Sequence, residues 1–302
     1  MPTTGAEAPP GPPSGAPAEA GWREVLAQLS AWLPALPVAP EWERHRAWRW
    51  VRQGARGGLE AVPHVHGIHL ADLLGIATQR ERFDRNMRQF VAGLPANHVL
   101  LSGARGCGKS SLVKAALADY GAQGLRGIEI DKAHLGDLPE ILTLLRPRPE
   151  RFVLFCDDLS FDAADIGWTA LKSLLDGSLT APADNVLMVA TSNRRHLMPD
   201  LFRDNLETRH SGDEIHPGEA VEEKVSLSDR FGLWLSFYAM DQDIYLAIAH
   251  QWAAALGAPA SPDDPAFRRA ALQWALDRSA RSGRTAWQFA RDWAGRQGLE
   301  RL

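Results

Sequence analysis

The sequence predicts an α/β fold: a parallel five-stranded sheet flanked by helices, with a C-terminal helical lid and an N-terminal helical extension. Three observations predict it. Short apolar runs alternate with amphipathic stretches over residues 70–239, the pattern of strands joined by crossover helices. Over residues 240–302 the periodicity is helical only. A glycine-rich turn, "GARGCGKS", lies between the first apolar run and the helix that follows it.

Residues 1–20, rich in Pro, Ala and Gly, read as a disordered tail. Residues 21–69 read as a helical region, in which "WREVLAQLSAWL" sets Trp22, Val25, Leu26, Leu29 and Leu33 on one face. "EWERHRAWRWV" adds Trp42, Trp48 and Trp50. These tryptophans admit two readings: an aromatic, basic surface for nucleic acid or a client, or a helical pair packed on the core, which helical spacing favours. His64, His66 and His69 cluster, but no cysteine or carboxylate is placed to complete a metal site.

A loop and a helix precede the strand Val99–Leu101, and "SLVKAALADY" follows as a helix. "LRGIEI" is a strand, "LGDLPEILTLLRP" a helix stopped by proline, and "RFVLFCDD" a buried strand closing on two acids. "AADIGWTALKSLLDG" is a helix, "NVLMVATSN" a buried strand and "FGLWLSF" the fifth strand. Three amphipathic helices complete the chain from about Asp241. The acidic stretch "SGDEIHPGEAVEEKVSLSD" reads as an insertion, either a solvated loop or a contact with a subunit or client.

Composition narrows the classes. A formal net charge of -4 gives no global field toward nucleic acid. The two cysteines, Cys107 and Cys156, suggest no disulfide framework, so a reducing cytoplasm is expected. The N-terminus lacks the basic start and apolar run of a signal peptide, and "VLAQLSAWLPALPV" is too short and too broken by proline to span a membrane.

Gly103 and Gly108 bracket four residues, and Lys109 and Ser110 follow, which is the P-loop pattern. Gly103, Gly106 and Gly108 reach backbone conformations costly for other residues. Gly103, Ala104, Arg105, Gly106, Cys107, Gly108, Lys109, Ser110 and Ser111 can thus turn their N–H groups toward a phosphate, and the helix that follows adds the positive end of its dipole. Lys109 is placed to reach the β- and γ-phosphates and the Ser110 hydroxyl to hold Mg²⁺, so ATP and Mg²⁺ are the expected ligands.

The strand "RFVLFCDD" delivers Asp157 and Asp158 to the sheet edge where ligands bind in open α/β folds. Asp157 is assigned to magnesium and Asp158 to the attacking water. Asn193, past the next buried strand, is placed to hold that water or touch the γ-phosphate, although Asn is also common in ordinary turns. Arg230 precedes the fifth strand and Arg284 begins the last helix; a guanidinium near the γ-phosphate neutralises charge in the transition state. With 28 Arg in the chain, any one of them is a surface charge by default.

Over about residues 70–300 these motifs resemble the AAA+ class of P-loop ATPases. "GARGCGKS" resembles Walker A, "FVLFCDD" Walker B, Asn193 sensor 1, "DRF" the arginine-finger site and "SGR" sensor 2. Within that class the chain is similar to a bacterial ATP-binding family defined only as domain of unknown function 815. The strings that carry this likeness are "NHVLLSGARGCGKSSLVKA", "RFVLFCDDLSF", "TSNRRHLMPD", "DEIHPGEAVEEKVSLSDRFGLWLSFY" and "RSGRTAWQFARDW". The resemblance implies ATP bound between a five-stranded parallel sheet and a helical lid. It also implies a homo-oligomer, a hexamer among the options, in which Arg230 acts on the neighbouring subunit's nucleotide.

Most AAA+ enzymes carry Asp-Glu where this chain has Asp157-Asp158, and the shorter second carboxylate makes ATP binding a firmer expectation than hydrolysis. The leading reading is a Mg²⁺-dependent ATPase that couples nucleotide state to conformational change on an unnamed client protein. The alternative is a non-hydrolysing, ATP-gated scaffold or nucleic-acid loader. A GTPase would need an Asn-Lys-x-Asp pattern that "TSNRRHL" does not supply. A small-molecule kinase would need an acceptor pocket, and the C-terminal helices argue the other way.

Overall fold

In the computed structural model the described residues are 40–54, 56–63, 67–159, 167–176, 183–193, 210–211, 214–215, 230–258, 260–261 and 263–299. The apolar runs become strands, and their burial follows their place in the sheet. β3 (Val99–Gly103) and β6 (Val186–Ser192) are buried throughout, and β5 (Arg151–Cys156) is buried after its first residue. β4 (Leu125–Glu129) lies beside β5, and β9 (Leu233–Phe237) alternates buried and half-buried as an edge strand does. These five strands pair in parallel in the order β4-β5-β6-β3-β9.

The sheet, however, has seven strands, not five. β1 (Ala47–Gln53) pairs in parallel with β4, and β2 (Arg56–Ala61) pairs antiparallel with β1, giving the order β2-β1-β4-β5-β6-β3-β9. The helical reading of residues 21–69 is therefore corrected over residues 47–61. Trp48 and Trp50 are buried on either side of exposed Arg49, an alternation with period two that belongs to a strand. The turn at Gly54 has φ +64, a left-handed conformation suited to glycine. The Trp50 ring lies across Gly57, where a Cβ would come within 1.9 Å of it. Its indole N–H donates to Asp137 Oδ2 at 2.9 Å, and Arg52 pairs with Asp137 Oδ1 at 2.6 Å.

Trp42, Trp48 and Trp50 all lie in the core, so they offer no stacking surface to nucleic acid. Residues 1–39, His64 and His66, and most of the acidic insertion lie outside the described residues. Within the insertion, β7 (His210–Ser211) and β8 (Glu214–Ile215) form a separate two-stranded ribbon.

Side-chain alternation along the strands builds two apolar layers. Val99, Leu101, Val153, Leu187 and Leu235 pack beneath α1 (Ala77–Val91) and α2 (Lys109–Tyr120). Leu100, Phe152, Leu154, Met188 and Trp48 pack with α3 (Leu138–Leu145) and α4 (Gly167–Asp176). α5 (Gln242–Ala255), α6 (Pro265–Asp277) and α7 (Gly283–Leu299) gather round a third cluster that includes Tyr245, Phe267 and Phe289. No helix among the described residues is long and apolar enough to cross a membrane.

One half-buried titratable group makes the fold pH-sensitive. His98 accepts a hydrogen bond from the Met188 N–H at 3.0 Å, and burial pushes its pKa down to about 4. The unfolded chain takes up this proton near pH 6.5 and the folded chain does not, so stability falls as pH drops from about 6.5 toward 4. The loss is on the order of 3 kcal/mol. Urea midpoints between pH 7 and pH 4 should show this slope in the parent and a flatter one in His98→Asn. Equal slopes would refute the assignment.

Candidate functional site

The C-terminal ends of β3, β5 and β6 converge on one edge of the sheet, and the predicted residues that follow them meet there. After β3 the chain turns through Gly103, Gly106 and Gly108, with φ of +130, +74 and +98, and enters α2. Gly108 is the N-cap of that helix. At Gly103 a Cβ would lie 1.9 Å from the Phe237 carbonyl oxygen of β9, so glycine is required there by space as well as by conformation.

Lys109 is 6% exposed, and its ammonium donates to Gly103 O at 2.7 Å, Ala104 O at 2.8 Å and Asn193 Oδ1 at 3.1 Å. Burial holds its pKa below the ordinary lysine value, while Cys107, Asp157 and Asp158 pull it back up. Cys107 is buried in the same loop, and burial raises its thiol pKa. Cys156, at the end of β5, is pushed up to about 12 by burial. Neither cysteine is poised as a thiolate nucleophile.

The two acids have different partners. Asp157 Oδ1 accepts from Ser110 Oγ at 2.9 Å and from Thr191 Oγ1 at 2.6 Å. Asp158 Oδ1 accepts from the Asn193 amide at 2.5 Å, and Asp158 Oδ2 lies 3.8 Å from Arg105 Nη2. Asp158 has φ +53, a left-handed backbone that costs a residue with a Cβ about 1–2 kcal/mol. Thr191 is 1% exposed, accepts the Asp158 N–H at 2.9 Å, and was missed in the sequence. The available signal was its place in "ATSN", directly across from the strand end that carries the acids.

Arg284 arrives from the C-terminal helices. α7 begins with a reciprocal cap in which Thr285 N donates to Ser282 Oγ at 3.2 Å and Ser282 N donates to Thr285 Oγ1 at 3.0 Å. This box, also unread in the sequence, seats the helix start on the loop. Gly283 N donates to Gly106 O at 2.9 Å, and a Cβ on Gly106 would lie 3.3 Å from Arg284 Cβ. Arg230 is not brought to this edge. Leu233 pairs with Val99 and Phe237 with Gly103, so Arg230 lies beyond the opposite end of β9. The five residues of β9 lie between it and the loop edge, roughly 15 Å of strand.

Between the loop and the C-terminal helices lies a cavity of about 660 Å³. Its lining combines polar groups, the loop, Asp157, Asp158, Asn193 and Arg284, with apolar ones, Ile68, Leu73, Ile76, Met240 and Trp252. That mixture suits a ligand with both apolar and charged parts. A second cavity, about 730 Å³, includes Phe90, His98, Leu138 and Arg151 at the other ends of the strands and carries none of these groups.

The residues also fit a magnesium ion. Mg²⁺ takes hard oxygen ligands and is usually bound by one or two protein oxygens together with phosphate oxygens and water, and the Ser110 hydroxyl and the Asp157 carboxylate, joined by a 2.9 Å hydrogen bond, put two such groups side by side. Among the described residues no group of three His, Cys, Asp or Glu could hold an ion alone, so Mg²⁺ here would depend on phosphate oxygens. His69 Nδ1 is paired with Asp119 Oδ1 at 2.5 Å, and among the described residues His69 belongs to no group of three such ligands.

Residues 43–297 match the family described as "Protein of unknown function (DUF815)". The chain belongs to this family. Among solved structures, the DUF815 chain is similar to a point mutant of RuvB from Thermotoga maritima, with 18% identity and a TM-score of 0.50. That likeness covers 74% of this chain and 64% of the other, so the DUF815 chain spans just under two thirds of that protein's length. It is also similar to the Thermotoga maritima RuvB Holliday junction branch migration motor at 16% identity, covering 73% of this chain and 70% of that one with a TM-score of 0.42. A search of curated proteins gives no match. At that identity the likeness shows a shared fold, a mostly parallel sheet flanked by helices.

Proposed function

We propose that the chain binds ATP with Mg²⁺ in the 660 Å³ cavity and hydrolyses it, coupling nucleotide state to conformational change on a client protein. The observation that carries this reading is the set of three contacts at the sheet edge, Ser110 to Asp157, Lys109 to Asn193 and Asn193 to Asp158. Residues Gly103–Ser111 hold the phosphates, Lys109 neutralises them, and Ser110 and Asp157 hold the ion. Held by Ser110 and Asp157, Mg²⁺ would supply neutralisation of phosphate charge. Asp158 orients and deprotonates water, Asn193 positions it, and Arg284 meets the γ-phosphate from the lid. Residues 70–239 are the ATP-binding unit and residues 240–302 the lid. Arg230, remote from its own loop, serves the nucleotide of a neighbour in a homo-oligomer.

Titration of folded protein with ATP and Mg²⁺ by calorimetry, followed by phosphate release, tests this. Asp158→Asn should bind ATP within about threefold of the parent and release phosphate at least ~10²-fold more slowly. Absence of ATP and ADP binding to the parent would overturn the reading. A second reading, an ATP-gated switch without turnover, is favoured by the contacts that already engage Asp158 with Asn193 and Arg105. Binding with no phosphate release in the parent would select it.

A further inference from the structure

We propose that Thr191 is a positioning residue for the metal-side carboxylate, fixing which oxygen of Asp157 is left for Mg²⁺. The inference rests on the ATP–Mg²⁺ reading of the cavity. The register of the sheet brings Thr191 to the acids. Cys156 of β5 pairs with Ala190 of β6, so the next residue of each strand, Asp157 and Thr191, emerge side by side.

A threonine hydroxyl has one proton to give. Asp157 Oδ1, 2.6 Å away, can only accept, so Thr191 Oγ1 donates to it. The same oxygen must then accept the Asp158 N–H, at 2.9 Å. The Thr191 carbonyl accepts a third bond, from Leu159 N at 2.7 Å. One buried residue thus holds the entire turn that carries both acids, including the left-handed backbone of Asp158.

The consequence for Asp157 is specific. Oδ1 accepts two hydroxyl protons, from Ser110 and from Thr191, while Oδ2 has no hydrogen bond among the described residues. The carboxylate is locked in rotation with Oδ2 as the oxygen for the ion. Partners that orient a metal ligand are typically worth about 10–100-fold in metal affinity or activity.

Thr191→Val keeps the branching and volume and removes the hydroxyl; Thr191→Ser keeps the hydroxyl. ATP affinity is measured by calorimetry across a series of free Mg²⁺ concentrations, with ADP affinity in EDTA and the thermal midpoint as controls. The valine form should bind ADP in EDTA within about twofold of the parent and need at least ~10-fold more Mg²⁺ to reach half of its gain in ATP affinity. The serine form should stay within about threefold of the parent on the Mg²⁺ axis. If the valine form does not fold, Thr191→Cys, which keeps the size and offers only a weak donor, must show the Mg²⁺ shift. A valine form, or where needed a cysteine form, with the parent's Mg²⁺ curve overturns the inference, as do valine and serine forms shifted alike in step with lost thermal stability. A parent that binds no nucleotide at any Mg²⁺ level removes the ATP reading itself and this inference with it.

Discussion

Lys109→Ala protein should fold as the parent does and lose ATP. The Lys109 ammonium sits within hydrogen-bond reach of two loop carbonyls and the Asn193 amide oxygen, and is almost wholly enclosed. A hydrogen bond to a charged group contributes about 1.5–3 kcal/mol, and a triphosphate offers this ammonium at least two such oxygens. Removing it also leaves Asp157 and Asp158 facing phosphate without the nearest buried cation, which raises the cost of bringing like charges together. The expected loss is about 10²–10³-fold in ATP affinity. The carbonyls left behind border the cavity that Lys109 lines, so water can enter in place of the ammonium and the melting temperature should fall by only a few degrees. Calorimetry with the melting curve as control decides it: an alanine variant that binds ATP as tightly as the parent would remove the loop from the mechanism.

The largest effect on stability is expected at Gly103. An alanine there would place its Cβ 1.9 Å from the Phe237 carbonyl oxygen and 2.8 Å from its carbonyl carbon, both backbone atoms of the paired strand. The backbone at φ +130 is itself unfavourable for alanine. Overpacking and backbone strain together cost about 4 kcal/mol, and relief requires β3 and β9 to part. Gly106→Ala makes the contrast. Its Cβ would meet Ser282 Oγ at 2.9 Å and Ser282 Cβ at 3.0 Å, side-chain atoms at a helix start and not the backbone of a paired strand, so a smaller cost of about 1–2 kcal/mol is expected. Urea denaturation of the two variants beside the parent should rank them in that order. A Gly103→Ala midpoint equal to the parent's would mean that the two strands are not held as described.

Much of this site is written in short range. The loop glycines, Lys109, Ser110 and the acids after "VLFC" are each adjacent to a strand end, so local pattern alone places them at one sheet edge. Asn193 and Arg284 follow once the strand and helix that carry them are read correctly. Thr191 was not legible in the same way. Its role comes from register between β5 and β6, a pairing about 35 residues apart in the chain. The helical reading of the hairpin runs against the spacing of its indoles, since Trp48 and Trp50 would fall on opposite sides of a helix, but its turn around Gly54 lacks an Asn-Gly signature. What separates the alternatives is Arg49 between two indoles, a signal only three residues wide. Asp137 then secures the hairpin from 85 and 87 positions away, through Arg52 and Trp50.

The bond from Gly283 N to Gly106 O has a mechanical consequence. If the crest of the loop moves when a ligand enters, it must either break that bond or take the start of α7 along. The latter helix has 17 residues and is about 25 Å long. Pivoting on the packed rings of Phe267, Phe289 and Trp293, a rod of that length converts a shift of an ångström at one tip into a displacement of similar size at the other, the end remote from the loop.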